Sequence, residues 1–415
     1  MAFQDSPSSV TAAGGVTPEP GRGRLMSLDA LRGFDMLWIM GGDSIGHAAT
    51  HVAAGPLWHK IAEQLDHVAW EGFRFYDLIF PLFVFMAGVS LVFSLGRARE
   101  EKGKDAALIR LFRRSLLMYL LGIFYYGGLS TPLADIRLLG VLQRIALAYF
   151  GAGVLFLFFR TRTLLGIAAA ILLGYWGLLA WSTVPAVNLE RTEFAKAMGE
   201  AGTTNAMAFY QSATNTVRGS YAEGLNVVNH FDFRYLPGKK WDGNYDPEGV
   251  LSTFPAVVSC LLGVFVGLFL KDSPRSGTEK ALRLAGAGVV LVLAGTLWGF
   301  GFPVIKKLWT SSYVLIAGGW SCLALAGFYY LIDVRQSRKW CQPLLWVGMN
   351  SITVYLASNL ISFDQLASRL FGGNVKAALD GLLPGLGALL ISVAGILLVV
   401  WLARSLYRRN LFLRL

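Results

Sequence analysis

Ten stretches of the chain are apolar for long enough to be read as membrane helices, since about 20 apolar residues cross a hydrocarbon core. Eight of them carry no charge: residues 78–96, 115–134, 164–189, 249–270, 284–305, 308–332, 340–363 and 381–403. Residues 138–159 make a ninth, interrupted by Arg144 alone. Residues 28–46 make a tenth, which carries Asp29, Arg32, Asp35 and Asp43.

The segments between the runs alternate in charge. With the N-terminus inside, one set of loops holds Arg97, Arg99, Lys102, Lys104, Arg110, Arg113 and Arg114, then Arg160 and Arg162. The same side receives Lys271, Arg275, Lys280 and Arg283, then Arg335, Arg338 and Lys339, and finally Arg404, Arg408 and Arg409. Basic residues collect on cytoplasmic loops, so this alternation predicts ten spans with both termini inside. The expected fold is an all-α polytopic membrane protein with two long extracytoplasmic loops, at about 47–76 and 190–247. Residues 1–24, rich in Ser, Gly, Pro and Thr, read as a disordered cytoplasmic tail, and 25–415 as a single transmembrane domain. The aromatic content of 230–245 predicts an ordered lid.

Composition agrees with this pattern. Of 415 residues, 54% are hydrophobic and 15% charged, against roughly 25% charged in a soluble domain. That excludes a disordered protein, a nucleic-acid-binding tail protein and an ordinary soluble enzyme. The net charge of +11 needs no acidic macromolecule, because sidedness explains it. Cys260, Cys322 and Cys341 are scattered, without a CxxC, so neither a disulfide framework nor a zinc site is expected. His47 and His51 are spaced i, i+4, but no further ligand type accompanies them, and no metal is expected.

Polar groups within or beside the spans are the candidate chemistry, since ionisable side chains are costly there. Asp29, Arg32 and Asp35 share one end of the first span, as an interfacial ion pair or as a ligand contact. Arg144, beside Gln143, has no charged neighbour in its own helix, and Asp77, Asp246 or Glu248 lies at the depth of a partner. Lys306, Lys307 and Trp309, followed by Thr310, Ser311 and Ser312, form an outer turn against the sidedness trend, which favours a binding role. Asn350 and Ser351 fall inside the run 340–363, as helix–helix glue or ligand contact. His67 precedes Trp70 and Asp77 at the mouth of a span, which places an imidazole beside this polar layer. On the residues alone an ordinary loop histidine remains the simpler reading.

Six ordered segments carry a resemblance: 24–43 (RLMSLDALRGFDMLWIMGGD), 66–90 (DHVAWEGFRFYDLIFPLFVFMAGVS), 140–149 (GVLQRIALAY), 246–255 (DPEGVLSTFP, with Ser252), 303–315 (PVIKKLWTSSYVL) and 347–358 (VGMNSITVYLAS). The chain resembles the heparan-α-glucosaminide N-acetyltransferase family, most closely its bacterial members. The resemblance implies a multi-pass protein of the bacterial inner membrane that moves the acetyl group of cytoplasmic acetyl-CoA to a glucosamine amine on the far side. It places the active histidine in an H-x-x-W-x-G segment, here residues 67–72, and so on His67. Asp77 or Asp246 would then orient the imidazole. Arg144, Asn350 or Lys307 would meet charge on the thioester oxygen, and Arg32, Arg110, Arg113 and Arg114 the CoA phosphates. A homodimer is a further implication, although no span shows a strong GxxxG face. The alternatives are a secondary transporter of an amino sugar or saccharide, and an O-acyltransferase acting on envelope glycans.

Overall fold

The computed structural model describes residues 25–52 and 56–413. The expected tail, 1–24, lies outside the described residues. The chain forms α1 (Met26–Thr50), α2 (Pro56–Gln64), α3 (Phe75–Tyr125), α4 (Val141–Phe158) and α5 (Thr161–Trp181). Then come β1 (Thr183–Pro185), α6 (Arg191–Glu200), α7 (Ala206–Gln211), β2 (Thr216–Arg218) and α8 (Val227–Tyr235). The remainder is α9 (Thr253–Asp272), α10 (Gly277–Gly299), α11 (Ser311–Phe328), α12 (Gln342–Met349), α13 (Ser351–Leu360), α14 (Phe363–Phe371), α15 (Asn374–Leu382) and α16 (Leu386–Arg408). Among the described residues, seven helical segments are long and apolar enough to cross a membrane. They correspond to α3, α4, α5, α9, α10, α11 and α16, those of α3 and α11 running on to Ser130 and Val334.

α3 contains the expected run 78–96, the first part of the run 115–134, and the basic segment between them. Its helix is interrupted at Gly103, whose φ of 84° and ψ of 176° are open to glycine but strained for other residues. The chain folds back there. Phe80 and Phe83 from before the break and Met118 from after it line the same cavity; a straight helix would hold residues 80 and 118 about 57 Å apart.

The core joins α1, both halves of α3, α4, α9 and α11. α3 and α9 cross at a pair of glycines. A Cβ on Gly88 would strike the carbonyl of Cys260, and one on Gly263 the carbonyl of Phe85. Small residues at such crossings let backbones approach closely, which maximises dispersion contacts where lipid supplies no hydrophobic drive between helices.

The apolar run 340–363 is not one helix. Asn350 (φ −115°, ψ 19°) separates α12 from α13, so it sits at a break rather than inside a span. Its amide N–H donates to the carbonyl of Trp346 at 3.1 Å.

The expected lid is ordered. β1 pairs antiparallel with β2, Thr183 opposite Arg218, and Val187, Leu189, Phe194, Tyr210 and Tyr245 form a core of their own. A second small core, including Tyr175, Val228, Phe302, Ile305 and Leu308, ties α5 and α8 to the turn before α11.

Candidate active site

The site is assembled by one loop-to-loop contact. Glu71 and Ile305 form an isolated antiparallel bridge, and the Gly72 N–H donates to the carbonyl of Val304 at 2.8 Å. That bridge holds the loop containing His67 against the turn containing Lys306. The turn is itself tightly wound. Trp309 takes a φ of 52°, a region that costs a non-glycine residue on the order of 1–3 kcal/mol. Its surroundings hold it there: its N–H donates to Lys306 at 2.9 Å, its indole N–H to Ser259 at 3.0 Å, and the Arg144 guanidinium lies 4.9 Å from its ring centroid.

His67 Nδ1 lies 2.8 Å from Oδ1 of Asp77. The carboxylate is 1% exposed and the imidazole 47%, so one partner is locked and the other reaches open space. Asp77 is the third residue of α3, and its Oδ2 also accepts the Arg74 N–H at 3.2 Å. The Arg74 guanidinium binds the carbonyl of His67 at 3.2 Å. Lys306 Nζ approaches the imidazole at 2.9 Å from Nδ1 and 3.1 Å from Nε2, and Asp77 Oδ1 at 3.4 Å. Burial pulls the Lys306 ammonium below the usual lysine range, against the opposing attraction of Asp77.

These groups face a cavity of about 250 Å³. Its polar end carries His67, Lys306, Asp43 and Glu248; its walls are Met36, Ile39, Ile79, Phe80, Phe83, Met118, Val141, Leu142, Ile145 and Ile352, with Tyr76 and Tyr355. Met36 is seven residues along α1 from Asp43, so the apolar part runs about 10 Å from the polar layer. An ionic group is therefore favoured at one end only, and a slender apolar chain fits the other.

Beside the cavity lies a charge cluster centred on Arg137, a residue the sequence reasoning passed over. Arg137 is bidentate to Asp246, at 2.9 and 2.7 Å, and bonds Glu248 at 2.7 Å. Its guanidinium lies between Tyr126 and Trp241, 4.4 and 4.9 Å from their centroids. Burial works against its charge, but the bonds to Asp246 and the two carboxylates hold it more firmly protonated than an ordinary arginine. Burial, then the neighbouring Asp246, pushes the Glu248 carboxyl above its usual range. No local pattern marks Arg137; its partner Asp246 is 109 positions away.

Several expectations are corrected. Arg144 does not pair with Asp77, Asp246 or Glu248. It donates to the carbonyl of Gly249 at 3.2 Å and to the Ser252 hydroxyl, and α4 keeps it fully buried. Asp246 serves Arg137 and not the imidazole. Lys307 does not reach His67; it pairs with Glu223 and Asp242, both at 3.0 Å, while its neighbour Lys306 occupies the position at the imidazole. Thr310 and Ser311 are spent on the fold. The Thr310 hydroxyl accepts the Ile305 N–H at 3.1 Å, and the Ser311 hydroxyl donates to Leu172 at 2.8 Å. Gln143 donates to the carbonyl of Arg137 at 3.3 Å, and the Trp70 indole to Tyr221 at 2.9 Å, so both support the site from behind. Asp29 and Arg32, 3.1 Å apart, with Arg32 also bonded to Ser90 at 2.6 Å, sit at the other end of α1.

No family model matches the chain. It is similar to the heparan-alpha-glucosaminide N-acetyltransferase of Mus musculus, 26% identical over 370 residues, which is 81% of this chain and 54% of that protein. It is also similar to the Homo sapiens protein of the same name, 27% identical over 372 residues, 80% of this chain and 52% of that one. These relatives support the family resemblance. The chain spans about half the length of the curated relatives it matches.

Proposed function

We propose that this protein is a transmembrane N-acetyltransferase of the bacterial inner membrane. It carries the acetyl group of cytoplasmic acetyl-CoA to the amine of glucosamine, or of a saccharide ending in glucosamine, on the far side. In this reading α1, each half of α3, the broken α12–α13 pair and the other long helices make ten crossings. Both termini are inside, and residues 25–415 form one transmembrane unit that can pair as a homodimer.

The observation that supports the reading is the 2.8 Å contact between His67 and the buried Asp77, set at the polar end of an otherwise apolar cavity. Asp77 accepts the Nδ1 proton and so leaves Nε2 unprotonated, with Lys306 Nζ 3.1 Å away. The acceptor ammonium first gives one proton to solvent; its neutral nitrogen then attacks the thioester carbon, Nε2 takes the proton released as the amide forms, and the carbon–sulfur bond breaks to give the amide and the CoA thiolate. The thiolate recovers a proton as the imidazolium returns to neutral. Such proton transfer contributes about 10²–10⁴-fold. Lys306, beside the imidazole, meets the negative charge that develops on the thioester oxygen. Asp43 and Glu248 give the cavity the acidic face that a cationic amine requires. The apolar stretch takes the pantetheine arm from the cytoplasmic side, where Arg32, Arg110, Arg113 and Arg114 meet the phosphates.

The test is reconstitution with labelled acetyl-CoA on one face and glucosamine on the other. Wild type is expected to form N-acetylglucosamine and the His67→Ala variant to lose it by at least a hundredfold. Normal product from the variant overturns the mechanism. Glucosamine that crosses unacetylated would replace it with the transporter reading, and label bound to His67 in the absence of acceptor would replace direct transfer with a two-step route.

A further inference from the structure

Asp35 is fully buried in α1, and neither of its carboxylate oxygens has a hydrogen-bond partner among the described residues. The mechanism above makes no use of it. α1 sets it about 12 Å from Asp43 at the cavity and about 9 Å from Asp29 at the other end. A carboxyl buried without bonds is costly in either form: ionised, it loses its hydration, and neutral, it leaves a hydroxyl donor unmet. A polar group that fastened two helices together would be bonded across their interface, and Asp35 is not. An ionisable group at such depth points to the movement of a proton or an ion. Among the described residues, the groups that act on its charge are Arg32, on its own helix, and Tyr76, on α3.

Tyr76 joins Asp35 to the cavity. Its ring stacks on the His67 imidazole, with centroids 4.6 Å apart, and it lines the cavity together with Asp43. A Cβ on Gly42 would strike that ring, so the glycine before Asp43 lets the phenol lie against α1. The hydroxyl reaches the carbonyl of Trp38 at 3.4 Å, a long bond that is readily exchanged. Trp38 is five residues from Asp43 and three from Asp35, so the hydroxyl divides the interval into steps of about 7.5 and 4.5 Å along the axis. Asp43 and Asp35 both act on this phenol. Beyond Asp35, Arg32 is bonded to Asp29 at 3.1 Å and to Ser90 at 2.6 Å, and its side chain is 20% exposed, so solvent reaches that end.

We infer that Asp43, Tyr76 and Asp35 form a proton relay along α1, so that each acetyl transfer also carries one proton to the cytoplasmic side. The inference rests on the acetyl-transfer reading and specifies which solvent receives the first ammonium proton. Asp43 takes that proton as the ammonium N–H bond breaks. The Tyr76 oxygen accepts it while its own hydroxyl proton passes, through interior water of the kind that bonds buried polar groups, to Asp35. Asp35 gives a proton to the solvent beside Arg32 as it receives one, and every group ends as it began. The acceptor arrives as a cation and remains outside as a neutral amide, so one positive charge moves inward. An inside-negative membrane potential therefore favours turnover.

The experiment uses proteoliposomes with acetyl-CoA added outside, where it reaches only copies whose cytoplasmic face points outward, and with glucosamine and a pH dye trapped inside. Valinomycin and potassium clamp the potential, at about pH 6, below the ordinary range of an amine. In wild type each acetyl transferred is expected to release one proton outside and to leave the inner pH steady. Asp35→Asn and Tyr76→Phe, both close in shape to the originals, are expected to release that proton inside, with slower transfer. One proton inside per acetyl in wild type, or outside release that persists in both variants, overturns the relay. If glucosamine is not acetylated, by wild type or by the variants, infrared spectra of the protein in nanodiscs separate the two readings. An acid-minus-alkaline carboxyl band that Asp35→Asn removes and Tyr76→Phe shifts keeps the relay, even where wild type transfers no acetyl and the transferase reading fails. No such band, or one that neither variant alters, overturns the relay.

Discussion

Replacing Arg137 by methionine removes the guanidinium hydrogen-bonded to both Asp246 and Glu248. The side chain is 4% exposed and its two partners 0% and 12%, so water cannot take over the lost bonds. Breaking a buried pair by deleting one member costs about 3–5 kcal/mol, because the remaining charge stays desolvated. Methionine keeps most of the volume between Tyr126 and Trp241, which makes the cost electrostatic rather than steric. The sign of its pH dependence follows. Glu248 is already held above its ordinary range by burial and by Asp246, and loss of the guanidinium raises it further. A carboxyl with a raised folded pKa binds more protons folded than unfolded, so its contribution is fully present below the unfolded value and is lost as pH rises through the folded one. The deficit of Arg137→Met against wild type should therefore be largest near pH 8 and shrink towards pH 5, by up to about 1.4 kcal/mol per unit of added shift. Equilibrium unfolding in mixed micelles at three pH values, followed by tryptophan fluorescence, measures it. A deficit below about 1 kcal/mol at pH 8, or one that grows as pH falls, would refute the reasoning.

Three further outcomes are expected. Asp77→Asn keeps the shape but not the charge opposite His67, and kcat should fall by about 10²–10⁴ with little change in KM, read from the same acetyl-transfer assay. Asp232, whose carboxyl burial pushes up to about 7, accepts the Val250 N–H at 3.0 Å. Its contribution is present below the unfolded value and lost as pH rises to about 7, so Asp232→Asn should gain on wild type between about pH 4 and 7 in unfolding experiments and no further above that, by at most about 1.4 kcal/mol per unit. Gly88→Val pushes α3 off α9 at the carbonyl of Cys260, and the yield of monodisperse protein in detergent should drop several-fold, whereas Gly286→Val, with open space around it, should leave it unchanged.

The helices were largely legible because the bilayer imposes a length and a composition that survive without any knowledge of packing. The runs at 164–189 and 381–403 became α5 and α16 with shifted ends. Breaks were harder to see: Gly103 looked like part of a basic loop, and Asn350 like a polar residue within a span, because the conformation of a single residue leaves little trace in hydropathy. His67 and Asp77 were readable as a pair because ten residues at the mouth of one helix separate them. Lys306 and Lys307 were readable only as a pair, since the left-handed turn at Trp309 decides which of them faces the imidazole. Arg144 was legible as a charge within a span, but its partners are a carbonyl, a hydroxyl and an indole, and sequence spacing favours no such neutral set over a carboxylate. Arg137 was missed altogether, because what makes it central is contact across 109 positions and not its place in an outer turn.

The bridge between Glu71 and Ile305 also sets a schedule for biosynthesis. His67 leaves the ribosome 239 residues before Lys306, an interval of roughly 10 to 50 s at ordinary rates of synthesis. During that time the imidazole has Asp77 within reach but neither the bridging turn nor the Glu248 wall beside it. A truncated or half-inserted chain is thus a membrane-bound imidazole without its cavity.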